Sequence, residues 1–159
     1  MEIKKIILDS DHDVSLTTYI HDVSSEMENV IKRPAILIFP GGGYHFCSDR
    51  EAEPIALAYA AKGYHAFVLR YSLKKSSQFP KPLRDAEMAL EMIIKNADKW
   101  NVIANKIAVI GFSAGGHLAT ALGTTGKIKP NALILGYPWV LEDENHYGEW
   151  PHTIPGTDN

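Results

Sequence analysis

The sequence predicts an α/β fold, a mostly parallel sheet with helices on both faces. Three observations carry this. The runs PAILIF (34–39), AFVLRY (66–71) and ALILGY (132–137) are short and near-continuously apolar, as buried parallel strands are. Segments of helical spacing lie between them. The stretch Lys106 to Leu122, KIAVIGFSAGGHLATAL, passes from a β-branched run through a glycine-flanked turn into a helical run. A length of 159 residues, 45% hydrophobic and 22% charged, suits one domain with one core.

In chain order, Lys4 to Leu8 and Val14 to Ile20 read as two extended segments around the polar cluster Asp9-Ser10-Asp11-His12-Asp13. Leu16, Thr18 and Ile20 alternate with Ser15, Thr17 and Tyr19, which predicts an antiparallel hairpin with one solvated face. The acidic cluster is expected to be a solvated loop rather than a metal site. After the strand 34–39, Pro40-Gly41-Gly42-Gly43-Tyr44 lets the backbone approach a ligand closely and turn its N–H groups toward it. Ser48-Asp49-Arg50-Glu51 fits a capping box, Ser48 as N-cap with Glu51 reaching back. The helix it opens runs to about Lys62, with Ile55, Ala58, Tyr59 and Lys62 as one stripe, and Gly63 stops it.

The next strand ends in Arg70 and Tyr71, where α/β proteins bind ligands. A rim salt bridge with a packed ring and direct substrate contact are both open for this pair. Leu83 to Trp100 is an amphipathic helix: Leu83, Ala86, Leu90, Ile93, Ile94, Ala97 and Trp100 face one way, and Arg84, Glu87, Glu91 and Lys95 the other. Asp85 is expected to be structural. His117, one turn past Ser113, is expected to pack rather than act as a base. Residues 132–137 read as another buried strand. Beyond Pro138 there is no apolar period. The division is therefore 1–138 as the folded part and 139–159 as an irregular tail.

A net charge of −3 offers no basic patch for nucleic acid, and no apolar run reaches membrane-span length. The lone cysteine, Cys47, excludes an internal disulfide within this sequence and suits a reducing cytoplasm. Only Ile6-Ile7-Leu8 interrupts the polar N-terminus, too short for a signal peptide. A cytoplasmic location is the expectation, with no metal and no cofactor.

Gly111-Phe112-Ser113-Ala114-Gly115 matches G-x-S-x-G, the nucleophile elbow, in which a strained serine sits between a strand and a helix. The helix N-terminus behind it offers N–H groups and positive dipole to an oxyanion. Taken together, FPGGGYHFCSDREAEPIALAYAAKGYHAFVLRYSL, the amphipathic helix, KIAVIGFSAGGHLAT and LILGYP resemble the α/β-hydrolase esterases. The likeness is closest to the bacterial esterase/lipase branch with acetyl-xylan-esterase-like and feruloyl-esterase-like enzymes. By that resemblance Ser113 is the nucleophile. The N–H groups of Gly42, Gly43 and Ala114 form the oxyanion hole, and Tyr44, His45 and Phe46 line the acyl side.

In that family the acid and then the histidine follow later strands. This chain is expected to stop short of them, with the last two strands missing. Asp143, His146 and His152 stand in the right order to substitute for the acid and base; the alternative is that they lie on a solvated tail. An open edge at 133–137 is a pairing hazard, which predicts a homo-oligomer or a complementing chain on that strand. Two functions follow. One is a serine carboxylic-ester hydrolase acting on small acetyl-type esters through an acyl-enzyme on Ser113, with a small-molecule ester as its partner and no nucleic acid or membrane. The other is a catalytically incomplete half of such an esterase, working only by assembly or not at all.

Overall fold

The computed structural model describes residues 1–140. Six strands form one sheet: β1 (Glu2–Asp9), β2 (Val14–Ile20), β3 (Arg33–Phe39), β4 (His65–Arg70), β5 (Val102–Phe112) and β6 (Ala132–Gly136). Their spatial order is β1-β2-β4-β3-β5-β6. The β1–β2 and β2–β4 pairs are antiparallel, and β4–β3, β3–β5 and β5–β6 are parallel. The α-helices of the described residues are α1 (Glu53–Ala60), α2 (Lys81–Lys95) and α3 (Ala114–Thr125).

Alternation along the central strands sorts the core into two layers. Ala35, Leu37 and Phe39 of β3, Phe67 and Leu69 of β4, and Ile107 and Val109 of β5 pack with Leu83, Ala86, Leu90 and Ile93 of α2 and Leu118 and Leu122 of α3. Ile36, Ile38, Ala66, Val68 and Ile110 point to the other face, against Ala52 and Ala56 at α1. The small alanines bring α1 close to the sheet.

Several expectations need correction. β2 has no solvated face. It lies between β1 and β4, and Ser15, Thr18 and Tyr19 are as buried as Leu16 and Ile20. Thr18 Oγ1 donates to the Lys4 carbonyl at 3.4 Å, whereas Ser15 Oγ finds no partner among the described residues. Alternation reports two chemically different faces; what covers each face is set by other elements. The exposed strand of the hairpin is β1, with Ile3 and Ile7 more than half exposed.

The capping box does not form. Ser48 makes no side-chain cap bond, residues 49–51 form a short 3-10 turn, and α1 begins after it. The buried positions of α1 are Ala56 and Ala60, with Ile55 and Tyr59 half-buried and Ala58 and Lys62 exposed. In α2, Ile94 is exposed and the helix ends at Lys95, short of Trp100. β6 is a strand, but not a buried one: Leu133, Ile134 and Leu135 are each about 40% exposed, because among the described residues nothing pairs with its outer edge.

In the acidic turn, Asp9 is taken up by Lys81 at 3.0 Å and His12 at 2.9 Å. The hydrogen bond from Lys81, then that from His12, lowers its carboxyl to about 2. Asp85 is fully buried, accepting from Lys81 Nζ at 2.7 Å and from the Ser72 N–H at 2.9 Å. No helix of the described residues is long and apolar enough to cross a membrane.

Candidate active site

β3 and β5 are parallel neighbours with Phe39 opposite Gly111. The glycine loop after β3 and Ser113 after β5 are therefore delivered to the same end of the sheet, the carboxyl end where α/β folds bind ligands. Ser113 has φ 50° and ψ −116°, a conformation that costs a non-glycine residue about 1–3 kcal/mol. Its surroundings hold it there. The Ser113 N–H donates to the Gly136 carbonyl at the end of β6 (3.0 Å), and the Ser113 carbonyl accepts from the N–H groups of His117 (2.9 Å) and Trp139 (3.2 Å). The flanking glycines are sterically required. A Cβ on Gly111 would lie 2.1 Å from the Gly115 oxygen, and one on Gly115 would lie 2.1 Å from the Phe39 oxygen.

The glycine loop comes as close. A Cβ on Gly41 would lie 3.1 Å from Ser113 Cβ and 2.7 Å from the Phe112 oxygen. In a trans peptide the C=O and N–H point in opposite directions, so a bond to the carbonyl aims the N–H that follows. The Pro40 carbonyl accepts from the Tyr71 hydroxyl at 2.6 Å, and the Gly41 N–H of the same peptide donates to Glu51 Oε2 at 2.7 Å. The Gly41 carbonyl accepts from the Ser48 N–H at 2.9 Å, which aims the Gly42 N–H. The Gly42 carbonyl accepts from the N–H groups of His45 and Phe46 at 3.0 and 3.3 Å, which aims the Gly43 N–H. Among the described residues, the N–H groups of Gly42, Gly43 and Ala114 have no acceptor. Gly42 (φ 135°) and Gly43 (φ 60°) lie in the left-handed region, which glycine enters at little cost.

Tyr44 is buried beneath the loop. Its hydroxyl oxygen is 2.8 Å from His117 Nδ1, and its ring meets Tyr71 and His117 edge-on. Burial pushes the Tyr44 phenol well up and the His117 imidazole down, so the bond joins two neutral groups. His117 thus packs through Tyr44. His45 and Phe46 face solvent. Of the two readings open for Arg70 and Tyr71, packing holds: Arg70 pairs with Asp49 and bonds the Cys47 carbonyl, and Tyr71 is buried. Burial raises the Cys47 thiol to about 11, which leaves it protonated at neutral pH. Asp143, His146 and His152 lie outside the described residues.

The residue that sequence reasoning missed is Glu51. Read as a capping partner, it instead accepts from Gly41 and, through Oε1, from the Tyr137 hydroxyl at 2.6 Å. No periodicity signals such a role, because both partners depend on the fold. The arrangement presents one serine hydroxyl on a strained turn beside three N–H donors, suited to an acyl carbonyl and the oxyanion it becomes.

Comparison with known proteins gives the family and the fold. The BD-FAE family model matches residues 21–146. The acetylxylan esterase of Xylanibacter ruminicola is 34% identical over 73% of this chain and 25% of its own length. The endo-1,4-beta-xylanase B of Butyrivibrio fibrisolvens is 30% identical over 89% of this chain and 24% of its own. Among solved structures, an alpha/beta hydrolase enzyme from a Medee basin deep-sea metagenome library is 60% identical with a TM-score of 0.88, over 95% of this chain and 62% of that one. The carboxylesterase Cest-2923 of Lactobacillus plantarum is 32% identical with a TM-score of 0.78, over 87% of this chain and 56% of that one. The chain thus spans about a quarter of these two curated relatives and about three fifths of these solved structures.

Proposed function

From the premise that this chain belongs to the BD-FAE family and has the α/β-hydrolase fold, we propose that it carries the nucleophile and oxyanion hole of a serine carboxylic-ester hydrolase acting on small, acetyl-type esters. The observation behind this is the pairing of Ser113, in its strained turn, with the N–H groups of Gly42, Gly43 and Ala114. The acetyl preference draws support from the relative named acetylxylan esterase.

In the reaction, Ser113 Oγ attacks the ester carbonyl carbon while its proton passes to a histidine. The three N–H groups hold the oxyanion. The tetrahedral species collapses, the bond to the alcohol oxygen breaks, and the alcohol leaves with the proton from the histidine. Water then attacks the acyl-serine, giving one proton to the histidine. The acid is released and the proton returns to Ser113. His146 or His152, oriented by Asp143, supplies the base in this reading. The test is hydrolysis of p-nitrophenyl acetate, butyrate and octanoate by the purified chain beside its Ser113→Ala variant. Acetate turnover should exceed octanoate and fall at least about 10³-fold in the variant; equal rates in both proteins overturn the reading.

The exposed edge of β6 favours a second reading, in which another strand completes this half of the sheet, from a second copy or a complementing chain. A monomer in sedimentation at micromolar concentration counts against self-pairing.

A further inference from the structure

We propose that Glu51 is a positioning residue for the oxyanion hole, a carboxylate clamp that holds the Pro40–Gly41 peptide and ties it to Tyr137 just past β6; this rests on the esterase reading above. The geometry is specific. One peptide plane is gripped at both ends, its oxygen by the Tyr71 hydroxyl and its N–H by Glu51 Oε2. The next N–H along, that of Gly42, is one of the proposed donors. The two peptides share the Gly41 Cα, so the Glu51 and Tyr71 bonds fix one side of the hinge from which the Gly42 donor hangs, and the Ser48 N–H bond to the Gly41 carbonyl fixes the other.

The Gly41 amide is buried with its residue, so losing Glu51 removes the acceptor that satisfies it in the folded loop. The plane would then rotate to find a partner. The other carboxylate oxygen, Oε1, takes the Tyr137 hydroxyl. Tyr137 immediately precedes Pro138 and Trp139, and the Trp139 N–H bonds the Ser113 carbonyl. Glu51 therefore links the glycine loop to the segment that also braces the serine turn. The two arms differ in weight. The Gly41 arm is buried, whereas Tyr137 is 67% exposed and water competes for its hydroxyl. The hydrogen bond to the Glu51 carboxylate raises the Tyr137 phenol, which keeps it a donor.

The experiment compares wild type, Glu51→Ala, Glu51→Gln and Tyr137→Phe on p-nitrophenyl acetate, with active sites counted by fluorophosphonate labelling. Amide exchange at Gly41 is followed by NMR in the same four proteins. Glu51→Ala should lower kcat per labelled site roughly 10- to 100-fold with KM changed less than about threefold. Gln keeps one acceptor oxygen and should recover most of kcat. Tyr137→Phe should cost no more than about fivefold. The Gly41 amide should be protected in wild type and Gln and unprotected in Ala. A Glu51→Ala kcat within twofold of wild type overturns the proposal. So does a loss that merely follows the number of labelled sites, or a Gln variant as impaired as Ala. If wild type shows no Ser113-dependent turnover, the esterase reading falls. Amide exchange then decides the clamp alone, and a Gly41 amide unprotected in wild type overturns it.

Discussion

Strands β3 and β6 carry nearly the same residues, AILIF against ALILG, and meet opposite fates. Leu37, Ile38 and Phe39 of β3 are fully buried, whereas Leu133, Ile134 and Leu135 of β6 are each about 40% exposed. β3 is flanked by β4 and β5, with α2 and α3 over one face and α1 over the other. Among the described residues β6 has a neighbour on one side only, and α3 is the helix that reaches it, where Leu133 fills the space a Cβ on Gly123 would need. The opposite edge, β1, is also exposed but carries Lys4 and Lys5, charges that discourage edge pairing. The candidate site sits over the buried strand, where the neighbours on every side can pin each peptide.

The largest expected effect is a matched truncation. Leu37→Ala in β3 should cost about 3 kcal/mol, the cavity cost of a closed core. Leu135→Ala in β6, already partly in water, should cost under about 1 kcal/mol. Urea midpoints at constant slope measure both, and equal losses would mean that β6 is covered in solution.

The second effect is on pH, at the start of β4 beside β3. His65 is 1% exposed and stands opposite Ala35. Its Nδ1 accepts the His21 N–H at 3.1 Å, and its Nε2 lies 3.2 Å from the Asn101 carbonyl. Burial, joined by the nearby His21 and opposed by the Asn101 bond, lowers its pKa to about 4. Between about pH 4 and 6.5 the unfolded chain therefore binds the proton and the folded chain does not. Stability is full above about pH 6.5 and is lost as pH falls toward 4, by at most about 3 kcal/mol. His65→Gln should flatten that slope in denaturation between pH 7 and 4. An unchanged slope would show that other groups carry it.

The smallest effect on stability, within about 1 kcal/mol, should come from Ile134→Glu on β6. If strands pair along that edge, the same change should shift sedimentation from a larger species to the monomer. A wild-type monomer at micromolar concentration removes the pairing instead.

How much was legible in the residues varies with distance along the chain. The turn at Ser113 was readable because its requirement is local: Gly111 and Gly115 lie two residues either side, and their missing side chains let β5, α3 and β3 touch. The apolar face of α2 was readable at Leu83, Ala86, Leu90 and Ile93, since helical spacing decides which side chains share a face. Partners farther off were not. Glu51, three residues after Ser48, looked like a capping partner, yet its bonds reach Gly41 and Tyr137, ten and 86 residues away. Nor were the contacts of Tyr44 readable, which is buried against His117 and Tyr71.

The order of residues alone therefore specified the strand-turn-helix around Ser113, the glycine run after β3 and the α/β class, because glycine's freedom, β-branching and spacing act within a few bonds. The fold had to assign the burial of both faces of β2, the exposure of β6 and the carboxylate that holds the glycine loop. Those depend on which distant segments come to lie on a face or within hydrogen-bond reach, and burial and partnering belong to neighbours in space.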